Sequence, residues 1–129
     1  MSNIFNNTRP PMSLAVVGIG YPNADGSSRK AHIERMVPGD PVELRPEPDN
    51  EKDSYAVAVL DGRERQLGYV TAERAPWIGS MIREGKEVRA VFQGVARTGA
   101  WIRVAFDGEE PVVPRVDEPE EDREVDWGC

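Results

Sequence analysis

Apolar and polar residues alternate along most of this chain in short runs separated by turn chemistry, a pattern that predicts strands more than helices. Ser13 to Ile19 reads as a buried strand, with Gly18 and Gly20 breaking the pattern where a bulge or a close backbone approach is expected. Tyr21 to Ser28 is dense in turn formers, and Ser27 or Ser28 is placed to cap a short helix. Ile33, Met36 and Val37 share one face of that helix, which Pro38-Gly39 ends within about three turns. Pro41 to Arg45 predicts a strand with Val42 and Leu44 inward. Tyr55 to Leu60 predicts another, Asp61-Gly62 turns the chain, and Gln66 to Val70 makes a further strand. Thr71 is placed to cap a second helix, whose Ala75, Ile78, Met81 and Ile82 form an apolar stripe and which Gly85 ends. Lys86 to Ala96 alternates Val88, Ala90 and Phe92 with polar or small residues, and Thr98-Gly99 joins it to Ala100 to Phe106 as a hairpin. Six strands and two short helices, without regular strand–helix alternation, define a mainly β chain (β-barrel/α+β). The expected architecture is a small, mainly antiparallel, modified OB-like barrel or half-barrel.

Charge divides the chain. Residues 1 to 106 carry 14 Lys and Arg against 13 Asp and Glu, whereas residues 107 to 129 carry 2 against 10. The acidic stretch Asp117 to Asp126 has too little apolar surface to offset its chain entropy, so 107–129 is expected to be a disordered tail that either solvates the protein or, with Trp127, binds a partner. Residues 1–12, rich in Asn and Pro, are expected to form an irregular arm, leaving 13–106 as one domain. The longest apolar run, Leu14 to Ile19, is too short to span a bilayer, so no membrane role is expected. The N-terminus lacks the basic start and apolar stretch of a secretory signal, and the sole cysteine is Cys129, which together point to the reducing cytoplasm.

The densest chemistry lies in Glu47 to Val59, a polar turn set against an alternating strand. There Asp49, Asn50 and Ser54 can bond their own or neighbouring backbone, which leaves Asp53 to face a ligand. The alternation of Asp49, Glu51 and Asp53 is not a calcium loop, because Ser54 stands where Gly is required and Leu60 where a bidentate Glu is required. One Cys and one His cannot make a structural zinc site, no Gly-rich loop with Lys and Ser or Thr cradles a phosphate, and no nucleophile motif surrounds a serine. A binding module without a cofactor is the reading, rather than an enzyme.

Val16-Val17-Gly18, Asp25-Gly26-Ser27-Ser28-Arg29, Pro38-Gly39-Asp40-Pro41-Val42-Glu43-Leu44, Glu47 to Val59 and Leu67-Gly68-Tyr69-Val70 come in an order and spacing that resembles a HIRAN domain over about residues 13 to 96. The resemblance implies a modified OB-like barrel, found at the N-terminus of some DNA-repair translocases and also alone in bacteria and phages, and this chain reads as a stand-alone member. It also implies binding of single-stranded DNA at a free 3′ end, in a repair or replication setting. A tyrosine that stacks on the terminal base matches Tyr21, and an aspartate that accepts a hydrogen bond from the 3′ hydroxyl matches Asp53. Four positions depart from that pattern: Lys52 stands where the relatives have a second aromatic, Gly20 where they have a phosphate-binding arginine, Ala72 where they have a basic residue, and Tyr69 where they have a polar ring.

The same site follows from chemistry alone. A terminal nucleotide offers a hydroxyl donor, a base face and phosphates, so its binder needs a carboxylate, an aromatic platform and cations. Asp53, Tyr21 or Tyr69, and Arg29, Arg45, Lys52 or Arg74 can supply them, and Asn23 and Asn50 complete the candidate nucleic-acid-binding set. With residues 1 to 106 near neutrality there is no broad basic face, so affinity must come from a local pocket and long duplex is not the expected ligand. Plainer readings stand beside these. Asp53 can merely cap its turn, Tyr55 and Tyr69 can be packing, Trp77 and Trp101 half-buried core platforms, and Arg29 a partner for Asp25 or Asp40. His32 is expected on an exposed helix face without a role. The alternative function is a protein-interaction module using the barrel rim or the acidic tail, and a metal-assisted hydrolase built on Asp49, Glu51 and Asp53 is a distant third.

Overall fold

Alternation closes on itself in this chain. In the computed structural model, which describes residues 9–114 apart from Thr98, the strands are β1 (Met12–Val17), β2 (Pro41–Pro46), β3 (Val57–Leu60), β4 (Gln66–Val70), β5 (Val88–Ala96) and β6 (Gly99–Phe106), with helices α1 (Arg29–Glu34) and α2 (Ala75–Arg83). All pairings are antiparallel in the order β1-β4-β3-β2-β5-β6, and β1 pairs with both β4 and β6, so the sheet is a closed barrel. Closure satisfies backbone groups that an open edge would expose. Inward residues Leu14, Val16, Val57, Val59, Leu67, Phe92, Ile102, Val104 and Phe106 fill the interior, with Ile33 of α1 and Ile78 and Met81 of α2 packed against them.

Several expected boundaries shift, each for a local reason. The first strand starts at Met12, inside the expected arm, and stops at Val17, because Gly18 turns the chain at φ 77°. It is buried on one face only: Leu14 and Val16 point in, and Val17 is exposed. α1 is capped by the Ser28 hydroxyl, which accepts from the Ala31 N–H at 3.1 Å, but it spans only six residues. The Asp40 carboxylate accepts from the Val37 N–H, and that turn replaces the third helical turn before Pro38. Ile33 is therefore the apolar residue the helix buries, Met36 packs from the turn beyond it, and Val37 is exposed. His32 is a further correction, buried rather than on an exposed face. The polar turn runs on to Ala56, so β3 begins at Val57 rather than Tyr55.

Thr71 starts the second helix with its carbonyl, which accepts from the N–H groups of Arg74 and Ala75, rather than with a side-chain cap. The α2 stripe is as expected, and Gly85 ends it at φ 85°. Gly99 pairs with Ala96 as the first residue of β6, and Thr98 lies outside the described residues. Arg9 donates its backbone N–H to Asp107 at 3.1 Å and its guanidinium at 3.3 Å, joining the two ends of the described chain. The acidic stretch Asp117 to Asp126, Trp127 and Cys129 also lie outside the described residues. Among the described residues no helix is long and apolar enough to cross a membrane.

The β3–β4 turn is built on Asp61, whose carboxylate accepts from the N–H groups of Arg63 and Arg65 at 2.8 and 2.9 Å and from Arg65 Nε at 2.9 Å. Burial pushes this carboxyl up, but those hydrogen bonds and the Arg65 charge outweigh it and leave the group below the usual carboxylate range. A depressed folded value means that its stabilisation is complete above the unfolded value of about 4 and is lost as pH falls through the folded one. Urea denaturation as a function of pH should therefore show the wild type losing stability in acid more steeply than Asp61→Asn. Parallel profiles would refute this.

Candidate functional site

Three segments meet at one end of the barrel: the loop from Gly18 to Ser28 that follows β1, the Glu47 to Ala56 turn between β2 and β3, and the end of β4. They enclose an open cleft of about 450 Å³.

Its floor is organised by Arg29. This first residue of α1 is 8% exposed. Its Nε donates to Asn23 Oδ1 at 2.7 Å, its Nη1 donates to the Gly18 carbonyl at 2.8 Å, and its guanidinium lies over the Tyr69 ring, 5.4 Å from the centroid. No carboxylate forms an ion pair with it among the described residues, so the charge is held by two oxygens and a π face. Nη2 has no hydrogen-bond partner there, and Arg29 is one of the residues that line the cleft. Asp25 and Asp40, considered as partners for Arg29, are occupied elsewhere. Asp25 accepts from the Ser27 hydroxyl at 2.6 Å and the Ser27 N–H at 2.9 Å, which hold its carboxyl below the usual range, and Asp40 closes the turn at Val37.

Asn23 stands behind Arg29. Its Oδ1 takes the guanidinium, and its Nδ2 donates to the Gln66 carbonyl at 3.0 Å and to Ser27 Oγ at 3.2 Å. It positions the arginine and presents no spare group. His32, one helical turn from Arg29, completes this layer through Nε2 to Ser27 Oγ at 3.0 Å. The inward spacing of Arg29, His32 and Ile33 at i, i+3, i+4 is the signal that could have placed it.

The opposite wall is the polar turn. Asn50 Oδ1 accepts from the N–H groups of Lys52 and Asp53 at 2.9 and 3.1 Å, and its Nδ2 donates to Glu47 Oε1 at 2.9 Å. The Tyr69 hydroxyl donates to the same Glu47 oxygen at 2.9 Å, fastening the turn to β4. Asn50 and Tyr69 thus build the wall. Asp53 has two jobs: Oδ1 accepts from the Tyr55 N–H at 2.9 Å and closes the turn, while Oδ2 has no partner among the described residues. At the rim Tyr21 is 70% exposed, with its ring open to solvent, and Lys52 is exposed without an ion pair among the described residues.

The cleft therefore gathers Tyr21, Arg29, Asn50, Lys52, Asp53 and Tyr69, with Asn23 behind them. Arg45 and Arg74 do not join it. Arg45 is paired with Glu43 at 3.0 Å and Glu64 at 3.5 Å, and Arg74 stands at the start of α2. Tyr55, Trp77 and Trp101 are also outside the lining; Trp77 packs on Phe106 with ring centroids 5.5 Å apart, and Trp101 is partly buried on β6. Among the described residues no group of three or more His, Cys, Asp or Glu could hold a metal ion.

Comparison with known proteins agrees with this architecture. The sequence model of the HIRAN domain family matches residues 12–107. Among solved structures, the crystal structure of the HIRAN domain of human HLTF is similar at TM-score 0.62 and 18% identity, covering 77% of this chain and 76% of that one. A crystal structure of a protein from Lactobacillus plantarum is similar at TM-score 0.61 and 17% identity, covering 75% of this chain and 97% of that one. No curated protein matches the chain.

Proposed function

Because the chain belongs to the HIRAN domain family, we propose that it is a nucleic-acid-binding module that takes the 3′ end of a single DNA strand into the cleft between α1 and the Glu47 to Ala56 turn, in DNA repair or replication. The observation that carries this reading is the convergence on one cleft of three unspent groups: the open Tyr21 ring, Arg29 Nη2 and Asp53 Oδ2. They match what a strand end presents. The Tyr21 ring stacks on the terminal base, a contribution of about 1–3 kcal/mol. Arg29 takes a backbone phosphate, and Asp53 Oδ2 accepts the 3′ hydroxyl proton.

Gly20 and Ala72, where relatives carry cations, leave Arg29 and Lys52 as the charged groups of this cleft that attract phosphate. Arg29 approaches from the floor rather than the rim, so phosphate recognition is kept with fewer exposed charges. The chemistry of the cleft suits binding rather than turnover. A labelled single strand ending in a 3′ hydroxyl is expected to bind more tightly than the same strand ending in a 3′ phosphate, and Asp53→Ala should abolish the difference. Equal binding of the two strands by the wild type would sink end recognition. Loss of strand binding altogether would sink the wider proposal.

A further inference from the structure

A second open cleft, of about 390 Å³, lies at the other end of α1 and β4 and is lined by His32, Arg35, Asp40, Asp61, Arg63 and Arg65. Its two carboxylates are committed within the protein. Asp40 closes the turn at Val37, and Asp61 carries the β3–β4 turn and its ion pair with Arg65. The guanidinium groups of Arg35 and Arg63 have neither a hydrogen bond nor an ion pair among the described residues. A separate observation comes from His32, which is 6% exposed. Ser27 has one hydroxyl proton, and the 2.6 Å contact with the Asp25 carboxylate uses it, so His32 Nε2 is the donor to Ser27 Oγ. The other ring nitrogen, Nδ1, is sealed from solvent and has no partner. A buried polar atom left this way is costly.

We infer that this cleft is a second anion site, which takes a phosphate group onto Arg35 and Arg63, with His32 in the same lining. Phosphate suits the unpaired set, because its oxygens accept from both guanidinium groups. Two sources share that chemistry, a free or terminal phosphate and a phosphodiester of a bound strand. The second source rests on the proposed function, since about 9 Å of helix rise separates Arg29 from Arg35 and a strand seated in the first cleft could continue to the second.

Inorganic phosphate titrated into the 15N-labelled protein is expected to move the His32 ring and the Arg35 and Arg63 Nε signals, and not to do so at His32 in Arg35→Gln/Arg63→Gln. Both arginines are exposed, so the variant keeps the fold, and unchanged Tyr69 and Phe92 signals check that. Salt dependence of binding by three- and ten-nucleotide strands then separates the sources. A slope steeper by about 0.7 or more for the longer strand, lost in the double variant, identifies a backbone phosphate. Equal slopes with the phosphate response intact identify a free or terminal one. If no strand binds but phosphate still moves these signals, the second site stands while the proposed function fails. If phosphate moves none of them, the inference is overturned.

Discussion

Arg29→Ala is expected to weaken single-strand binding by about 100-fold and to cost the fold about 3 kcal/mol, a joint loss that follows from its two positions in the site. The stability term comes from inside. The guanidinium donates to Asn23 and Gly18 from a position only 8% exposed, and hydrogen bonds to charged groups are worth about 1.5–3 kcal/mol each. The binding term comes from Nη2, which has no hydrogen-bond partner among the described residues in a side chain that lines the cleft. A phosphate there would meet a cation already held by its other nitrogens, so little side-chain entropy is lost on binding. Removing it should also lower the salt slope by about 0.7, the share of one phosphate contact on a single strand. Arg29→Lys separates the terms. It keeps the charge and part of the slope but loses the forked geometry, and with it most of the stability. Fluorescence anisotropy at several salt concentrations, beside urea denaturation, reads both. Wild-type affinity and slope in Arg29→Ala would remove Arg29 from the interface.

The residues that carry this argument were unevenly legible in the sequence. Gln66 to Val70 and the stripe on α2 stood out because alternation and helical spacing persist long enough to define a face. α1 did not, since six residues complete fewer than two turns and Met36 and Val37 continue its periodicity after the helix has ended. His32 was misplaced for the same reason. Arg29 could be named but not understood: Asp25, four residues earlier, is the obvious partner by proximity, yet it is satisfied by Ser27. Arg45 shows the reverse error. Its pairing with Glu64 joins β2 to the β3–β4 turn, a contact created only when the strands pair. From the sequence Asp53 fits either a turn cap or a ligand group, and the two carboxylate oxygens allow both, a division that residue identity cannot express. The HIRAN resemblance, read over residues 13 to 96, stopped short of the last strand, whereas the family match runs to residue 107. β6 is the strand that closes the barrel onto β1.

Gly68→Ala is expected to lower the melting temperature by roughly 15 °C or to prevent folding, at a cost of about 3 kcal/mol or more for forcing a methyl into a filled core. The obstacle is the neighbour. A Cβ on Gly68 would collide with the Val17 carbonyl oxygen and would lie 2.8 Å from Val16 Cγ1, at the seam where β1 pairs with β4 through Val16↔Val70 and Val17↔Tyr69. A carbonyl in that seam cannot rotate aside as an exposed side chain does, and Val16 is fully buried. The same seam carries both halves of the Arg29 cradle, the Gly18 carbonyl just past β1 and the Tyr69 ring on β4. Spreading the strands would therefore pull the cradle apart as well as open the barrel. Gly20→Ala is the matched control, on the same loop as Gly18 but with nothing within 4 Å of an added Cβ, and should leave melting and binding close to wild type. If Gly68→Ala melts with Gly20→Ala, β1 and β4 can separate without cost. If it folds but releases Arg29, seen as a shifted Nε signal and lost strand binding, the seam controls the cleft directly.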